Sequence, residues 1–245
     1  MTKIAVIAGT GSGLLFETLQ WTGSPEETPF GCPSTTINRV EQDAYPADIS
    51  VLARHGPDGS IPPHQINYRA NLWSLMQFQP DLIVALNTVG GIHEAAAPAT
   101  LYFPDQLIDY TWGREQTYSD GKLAPLQHID FTEPFDQTGR QHLIDRAAEL
   151  GLDFKPTGTY GVTQGPRLET AAEIDRMERD GCDIVGMTAM PEAALARELG
   201  LAYVVCAIVV NRAAGRCPPG SVIHADIQQS TERGMAQVGQ LLRSL

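Results

Sequence analysis

The sequence predicts an α/β fold built as one domain over residues 1–245. Two observations carry this. Apolar runs of strand length recur along the chain, at Ile4-Ala5-Val6-Ile7, Leu82-Ile83-Val84-Ala85-Leu86 and Leu201 to Val210, separated by segments whose apolar residues fall at helical spacing. Most of these runs end in glycine or a small polar cluster, as α/β strands do where their ends face a ligand. There are no internal repeats, low-complexity tracts or linkers to divide the 245 residues, and that length suffices for one well-buried core.

Residues 3–8 read as a buried strand running into Gly9-Thr10-Gly11-Ser12-Gly13. This turn fits neither a dinucleotide fingerprint nor a Walker A loop, yet its glycines let the backbone approach an anion. Residues 21–34 are rich in proline and glycine and read as a surface loop. A strand over 49–53 ends in Arg54-His55-Gly56, and a helix follows from about His64 with Tyr68, Leu72, Leu75 and Met76 on one face. The strand at 81–86 leads into Asn87-Thr88-Val89-Gly90-Gly91. A strand is expected from Tyr102 to Tyr110, polar loop from Gly113 to Asp130, a helix from about Asp136 to Leu150 and a strand from Thr157 to Thr163. The turn Gly165-Pro166-Arg167-Leu168-Glu169-Thr170 enters a helix through Glu173, Ile174 and Met177. Ile184-Val185-Gly186-Met187 reads as a short strand, with Pro191 as the first residue of the next helix. The β-branched run to Val210 suits a central strand covered on both faces. After a loop at 215–220, a last helix is expected from about Ser221.

The formal net charge of −12 excludes nucleic-acid binding through a broad basic surface, but a few local donors still suffice for a small anion. No apolar run is long enough to span a bilayer, and the N-terminus lacks the core of a signal peptide. The four cysteines form no Cys-x-x-Cys pair, and Cys182 and Cys206 fall in apolar segments. A cytoplasmic protein without membrane contact is expected, with no metal and no organic cofactor.

Thr10, Arg54-His55, Asn87-Thr88, Glu169, Met187-Thr188 and Asn211 are the polar groups at the ends of these segments. An arginine fork, a histidine, hydroxyls and glycine-flanked amides suit a phosphate-like anion. A separate carboxylate and a two-faced amide suit the edge of a heterocycle. Taken singly, each has an ordinary alternative: Thr188 can simply cap the helix that follows it, and Glu169 can simply sit at a helix start.

The ordered set Gly9-Thr10-Gly11, Ala53-Arg54-His55-Gly56, Asn87-Thr88-Val89-Gly90-Gly91, Gln164-Gly165-Pro166-Arg167 and Gly186-Met187-Thr188-Ala189-Met190-Pro191-Glu192 resembles the successive motifs of the trimeric purine nucleoside and methylthioadenosine phosphorylases. The resemblance runs from residue 3 to the last helix. It implies a central mixed, twisted, partly barrel-like sheet flanked by helices. It places phosphate, a co-substrate, against Thr10, Arg54, His55, Thr88 and Thr188, so that Thr188 becomes a ligand instead of only a cap. Met187 would lie against the ribose, Glu169 and Asn211 would face the purine, and Leu168 and Ala213 would line the substrate site. Asn211, His55 and Thr188 are the residues expected to carry the chemistry. A homotrimer is implied, with His128 closing the sugar end of a neighbour's pocket.

Members acting on 6-aminopurines generally carry Asp where this chain has Asn211. Asn can donate to a 6-oxo group, and Glu169 can accept from the N1–H of a 6-oxopurine, so hypoxanthine or guanine is the expected base. The overall pattern is most similar to the bacterial methylthioinosine phosphorylases. At the sugar end those favour an apolar group near the start of the last helix, where this chain has His224; an inosine/guanosine phosphorylase or a methylthioadenosine phosphorylase is the alternative. A non-catalytic purine sensor and a water-using hydrolase are the competing classes.

Overall fold

A computed structural model describes residues 2–16, 19, 21, 23–41, 45–119, 121, 125–217 and 227–245. Its ten strands are β1 (Lys3–Ala8), β2 (Asn38–Arg39), β3 (Asp48–Ala53), β4 (Leu82–Gly91), β5 (Leu101–Tyr102), β6 (Gln106–Asp109), β7 (Phe154–Lys155), β8 (Thr159–Val162), β9 (Ile184–Gly186) and β10 (Tyr203–Arg212). The helices are α1 (Tyr68–Met76), α2 (Gln137–Glu149), α3 (Ala171–Arg179), α4 (Ala189–Glu198) and α5 (Ile227–Leu242). No helix among the described residues is long and apolar enough to cross a membrane.

The parallel strands β3, β1, β4 and β10 form the centre of the sheet. Their alternating side chains feed two cores. Ala5 and Ile7 of β1 and Val205, Ala207 and Val209 of β10 pack with Tyr68, Leu72 and Leu75 of α1 and Ala193, Leu195 and Ala196 of α4. Ile4 and Val6, with Val204, Cys206 and Ile208, pack on the other face with Leu143 of α2 and Met235, Val238 and Leu241 of α5. Both faces are therefore dry, which is why these strands read as continuous apolar runs.

The sheet forks and does not close. Along one flank, β4 pairs with β1 only as far as Ile7↔Ala85; further on, Gly90 and Gly91 pair antiparallel with Val185 and Ile184 of β9. β9 continues into β8 and then β6. This is the mixed central sheet flanked by helices that was expected, with a second arm that joins β4 beyond the point where β1 parts from it. Two glycines make the branch possible: a Cβ at Gly91 would strike the carbonyl of Ala96, and one at Gly90 would press on Val185 at 3.3 Å. The strand expected from Tyr102 to Tyr110 is split. β5 pairs with β10 and β6 with β8, and Phe103-Pro104-Asp105 carries the chain between them. Proline cannot donate to a ladder, which accounts for the break. The short strands β2 and β7 have no counterpart in the sequence reading.

Helix starts follow local chemistry. Asp136 accepts from Gly139 N (2.6 Å), Asn67 from Ala70 N (3.1 Å), and Thr170 and Glu173 form a reciprocal capping box. On α5, Gly234 lets the helix lie directly on β10, since a Cβ there would overlap Ile208 Cγ2. Gly234→Ala is expected to lower stability by about 1–3 kcal/mol through overpacking, although alanine's helix preference works the other way by about 1 kcal/mol. Urea unfolding checks this, and a stabilised variant would contradict the close contact.

Candidate active site

The fork leaves a cavity of about 410 Å³ beyond the ends of the parallel strands. Thr10 follows β1, Arg54 and His55 follow β3, Thr88 lies in β4, Met187 and Thr188 follow β9, and Asn211 lies in β10; all of them line it. Leu168, Glu169, Ala213, Pro63 and Ile227 complete the wall. Thr10, His55 and Met187 also border a second cavity along the Gly9–Gly13 turn, whereas Glu169 borders a third on the far side. The anion-type donors and the base-type groups therefore share one space. His128 is exposed and is not among the residues lining its own chain's cavity. His224 lies outside the described residues.

Arg54 is buried to 1% exposure and fills the gap where β1 and β4 part. Its Nε and Nη2 donate to Glu192 at 2.7 and 3.1 Å, Nη1 donates to the Leu86 carbonyl at 2.7 Å, and Nη2 reaches the Ile7 carbonyl and Asn87 Oδ1 at 3.4 Å. Gly9 leaves room for it, because a Cβ there would sit 2.6 Å from Nη1. Burial opposes the Arg54 charge, but the Glu192 carboxylate outweighs it and holds the guanidinium above its ordinary range. Tyr203 donates to Glu192 Oε2 at 2.8 Å. The sequence reading missed Glu192 and Tyr203 as part of the site, since both sit in segments that look like plain helix and core strand.

Thr188 precedes α4 but makes no side-chain cap bond. Met190 has non-helical angles, so regular helix begins at Pro191, as expected. Asn87 Nδ2 donates to Thr188 Oγ1 at 2.9 Å. With that acceptor position filled, the Thr188 hydroxyl hydrogen is directed elsewhere, and the cavity is the space it borders. Asn87 itself, read above only as part of a strand-end cluster, is the link between Arg54 and Thr188.

His55 Nδ1 lies 2.8 Å from the Ile61 carbonyl. A carbonyl only accepts, so Nδ1 carries the hydrogen and the neutral ring keeps Nε2 as an acceptor. Burial, then the Arg54 charge, lower its pKa below the ordinary 6.5. At the base end, Thr163 Oγ1 donates to Glu169 Oε1 at 2.6 Å. Asn211 Nδ2 donates to the Arg212 carbonyl at 2.7 Å, and its second hydrogen and Oδ1 remain for a ligand. A register shift between Val209 and Asn211 inserts Val210 as a bulge and sets the direction of Asn211.

Glu192→Gln strands a buried cation and is expected to lower stability by about 3 kcal/mol; Arg54→Met combined with Glu192→Leu should recover most of that loss while removing the guanidinium donors from the cavity. Urea titration reads both variants, and a single variant as stable as the parent would refute the pairing. His55 has a lowered folded pKa, so the unfolded state binds the proton more readily. Its contribution to stability is present above about pH 6.5 and is lost as the pH falls below it. His55→Gln should flatten that part of the stability–pH curve; an unchanged slope would contradict the assignment.

A family model described as the phosphorylase superfamily matches residues 3–245. The chain is similar to a probable S-methyl-5'-thioinosine phosphorylase of Pseudomonas syringae pv. tomato, with 47% identity over 238 residues, 97% of this chain and 96% of the relative. It is 42% identical over 220 residues, 88% of this chain and 81% of the relative, to a 6-oxopurine nucleoside phosphorylase of Pyrococcus furiosus. Among solved structures, methylthioadenosine phosphorylase from Schistosoma mansoni in complex with adenine superposes with a TM-score of 0.87 at 29% identity, covering 99% of this chain and 90% of that one. The motifs, the forked sheet and these similarities agree, and the chain belongs to the phosphorylase superfamily.

Proposed function

We propose that the protein cleaves the N-glycosidic bond of a 6-oxopurine nucleoside with phosphate, with S-methyl-5'-thioinosine as the substrate. The observation that supports this is that Thr10, Arg54, His55, Thr88, Thr188, Glu169 and Asn211 line one cavity. Phosphate oxygen attacks the anomeric carbon as the bond to purine N9 breaks, and the bonding pair leaves with the base. Positive charge develops on the sugar next to the phosphate, and negative charge on the purine. The products are hypoxanthine and methylthioribose 1-phosphate. No covalent enzyme intermediate is required; positioning and electrostatics supply the acceleration.

In this reading Arg54 is held by Glu192 and contributes a remaining Nη1–H, Thr188 donates its hydroxyl hydrogen, and His55 Nε2 accepts from a protonated phosphate oxygen. Met187 lies against the ribose. Asn211 stabilises the leaving base near O6 and N7, and Glu169 accepts from N1–H. The names of the bacterial relatives support methylthioinosine. So does Ile227, the first residue of α5, which with Pro63 gives the cavity apolar surface suited to a methylthio group. The relative named as a 6-oxopurine nucleoside phosphorylase favours inosine as the second reading. The working assembly is a homotrimer in the cytoplasm, with His128 of a neighbouring copy at the sugar end and no metal or organic cofactor. The exposure of His128 outside its own cavity supports that arrangement.

The test is base release from methylthioinosine, inosine and methylthioadenosine, each with and without phosphate. Phosphate-dependent hypoxanthine release, highest with methylthioinosine, is expected. Release that ignores phosphate would mean a hydrolase, and preference for methylthioadenosine would overturn the roles given to Glu169 and Asn211. Ile227→Asn should lower the preference for methylthioinosine over inosine about tenfold, the scale of one apolar contact in a pocket.

A further inference from the structure

Glu169 does not stand alone at the base end. Thr163 Oγ1 lies 2.6 Å from Glu169 Oε1 and 3.3 Å from the Gly186 carbonyl. A threonine hydroxyl has one hydrogen, and the shorter contact to a carboxylate takes it. The main chain at Thr163 is fixed on both sides. Its N–H donates to the Gly186 carbonyl at 2.8 Å, and its own carbonyl accepts from Arg114 Nη2 at 3.2 Å. Arg114 also holds the carbonyls of Gln164 (2.9 Å), Met187 (2.8 Å) and Met190 (2.5 Å), tying the end of β8 to the turn before α4. Thr163 is thus a buried hydroxyl on a clamped backbone.

Glu169, in contrast, sits on a turn whose neighbours Pro166, Arg167 and Leu168 are exposed. It borders both the ligand cavity and the adjoining cavity lined by Tyr110, Trp112, Arg167 and Arg176. Arg167 and Arg176 line that second space, where Arg167 donates to both Glu173 oxygens at 2.7 and 2.8 Å. A carboxylate so placed has two destinations, one facing the ligand and one facing the arginines. Thr163 itself lines the second space and not the ligand cavity, so its bond takes Oε1 on that side and leaves Oε2 as the oxygen available to a ligand.

We propose that Thr163 is the positioning residue for base selection: its hydroxyl occupies Glu169 Oε1, fixes the rotation of the carboxylate, and leaves Oε2 to accept from the N1–H that a 6-oxopurine carries. This rests on the 6-oxopurine reading above. A 6-aminopurine has no N1–H in its neutral form, so it gains nothing from this arrangement, and loss of Thr163 must act on one substrate class and not the other.

The experiment compares the full chain with Thr163→Val and Thr163→Ser, using methylthioinosine and methylthioadenosine at saturating phosphate. Valine keeps the shape without the hydroxyl; serine restores the hydroxyl. Thr163→Val should lower the ratio of kcat/KM for methylthioinosine over methylthioadenosine about tenfold, the loss of one hydrogen bond involving a charged group. The change should lie mainly in KM for methylthioinosine, with KM for phosphate unchanged, and Thr163→Ser should recover the parent ratio within about twofold. Thr163→Ala replaces the valine variant if that one does not fold. An unchanged ratio, an equal loss on both substrates, or no recovery with serine would overturn the proposal. A parent chain that prefers methylthioinosine, with a valine variant whose ratio is the same, defeats this inference alone. A parent chain without that preference defeats the earlier reading and this one with it.

Discussion

The structure depends on a cation placed where two strands separate. When β1 turns away from β4 after Ala85, the carbonyls of Ile7 and Leu86 face a gap, and buried carbonyls need donors. Arg54 supplies them, and a charge taken that far from water needs a counter-charge in turn. Glu192 provides it from α4 through both carboxylate oxygens, and Tyr203 from β10 also donates to Oε2. One pair of opposite charges therefore sets the distance between β3, β4, β10 and α4 at the point where the cavity begins. The side chains facing a ligand inherit their positions from it through Asn87 and Thr188.

This has an electrostatic corollary. The one buried arginine at the anion end is already neutralised by Glu192, and His55 is held neutral by burial and by Arg54 itself. Under the proposed function the attraction for phosphate comes from oriented neutral donors and the start of α4, which cost no reorganisation when a charge arrives. A site of this kind fits a chain with net charge −12, because it does not need a surface field to work.

Much of this was legible in the sequence, and unevenly so for physical reasons. The central strands were visible because both of their faces are buried, as in Val204 to Val209. The polar residues that line the cavity were visible as polar groups at strand ends. The fork was not, because Gly90 and Gly91 read equally well as a turn after a strand or as a strand pressed between two neighbours. Glu192 and Tyr203 were hidden by their surroundings: a glutamate in a first helical turn and a tyrosine in a β-branched run each have an ordinary explanation. Arg114 lies in a stretch that reads as polar loop, and only the three-dimensional structure reveals how many carbonyls it gathers. Capping and turn signals at Asp136 and Thr170 were local and came through directly.

The bulge at Val210 separates two kinds of selection within one strand. Up to Val209 each position of β10 answers to packing on one face of the sheet or the other, and a change there disturbs a core. From Asn211 onward the alternation restarts, and the side chain answers to whatever occupies the cavity. An altered residue 211 leaves the parity of the preceding eight positions untouched. Substrate preference in this scaffold can consequently change through single exchanges that are nearly neutral for folding.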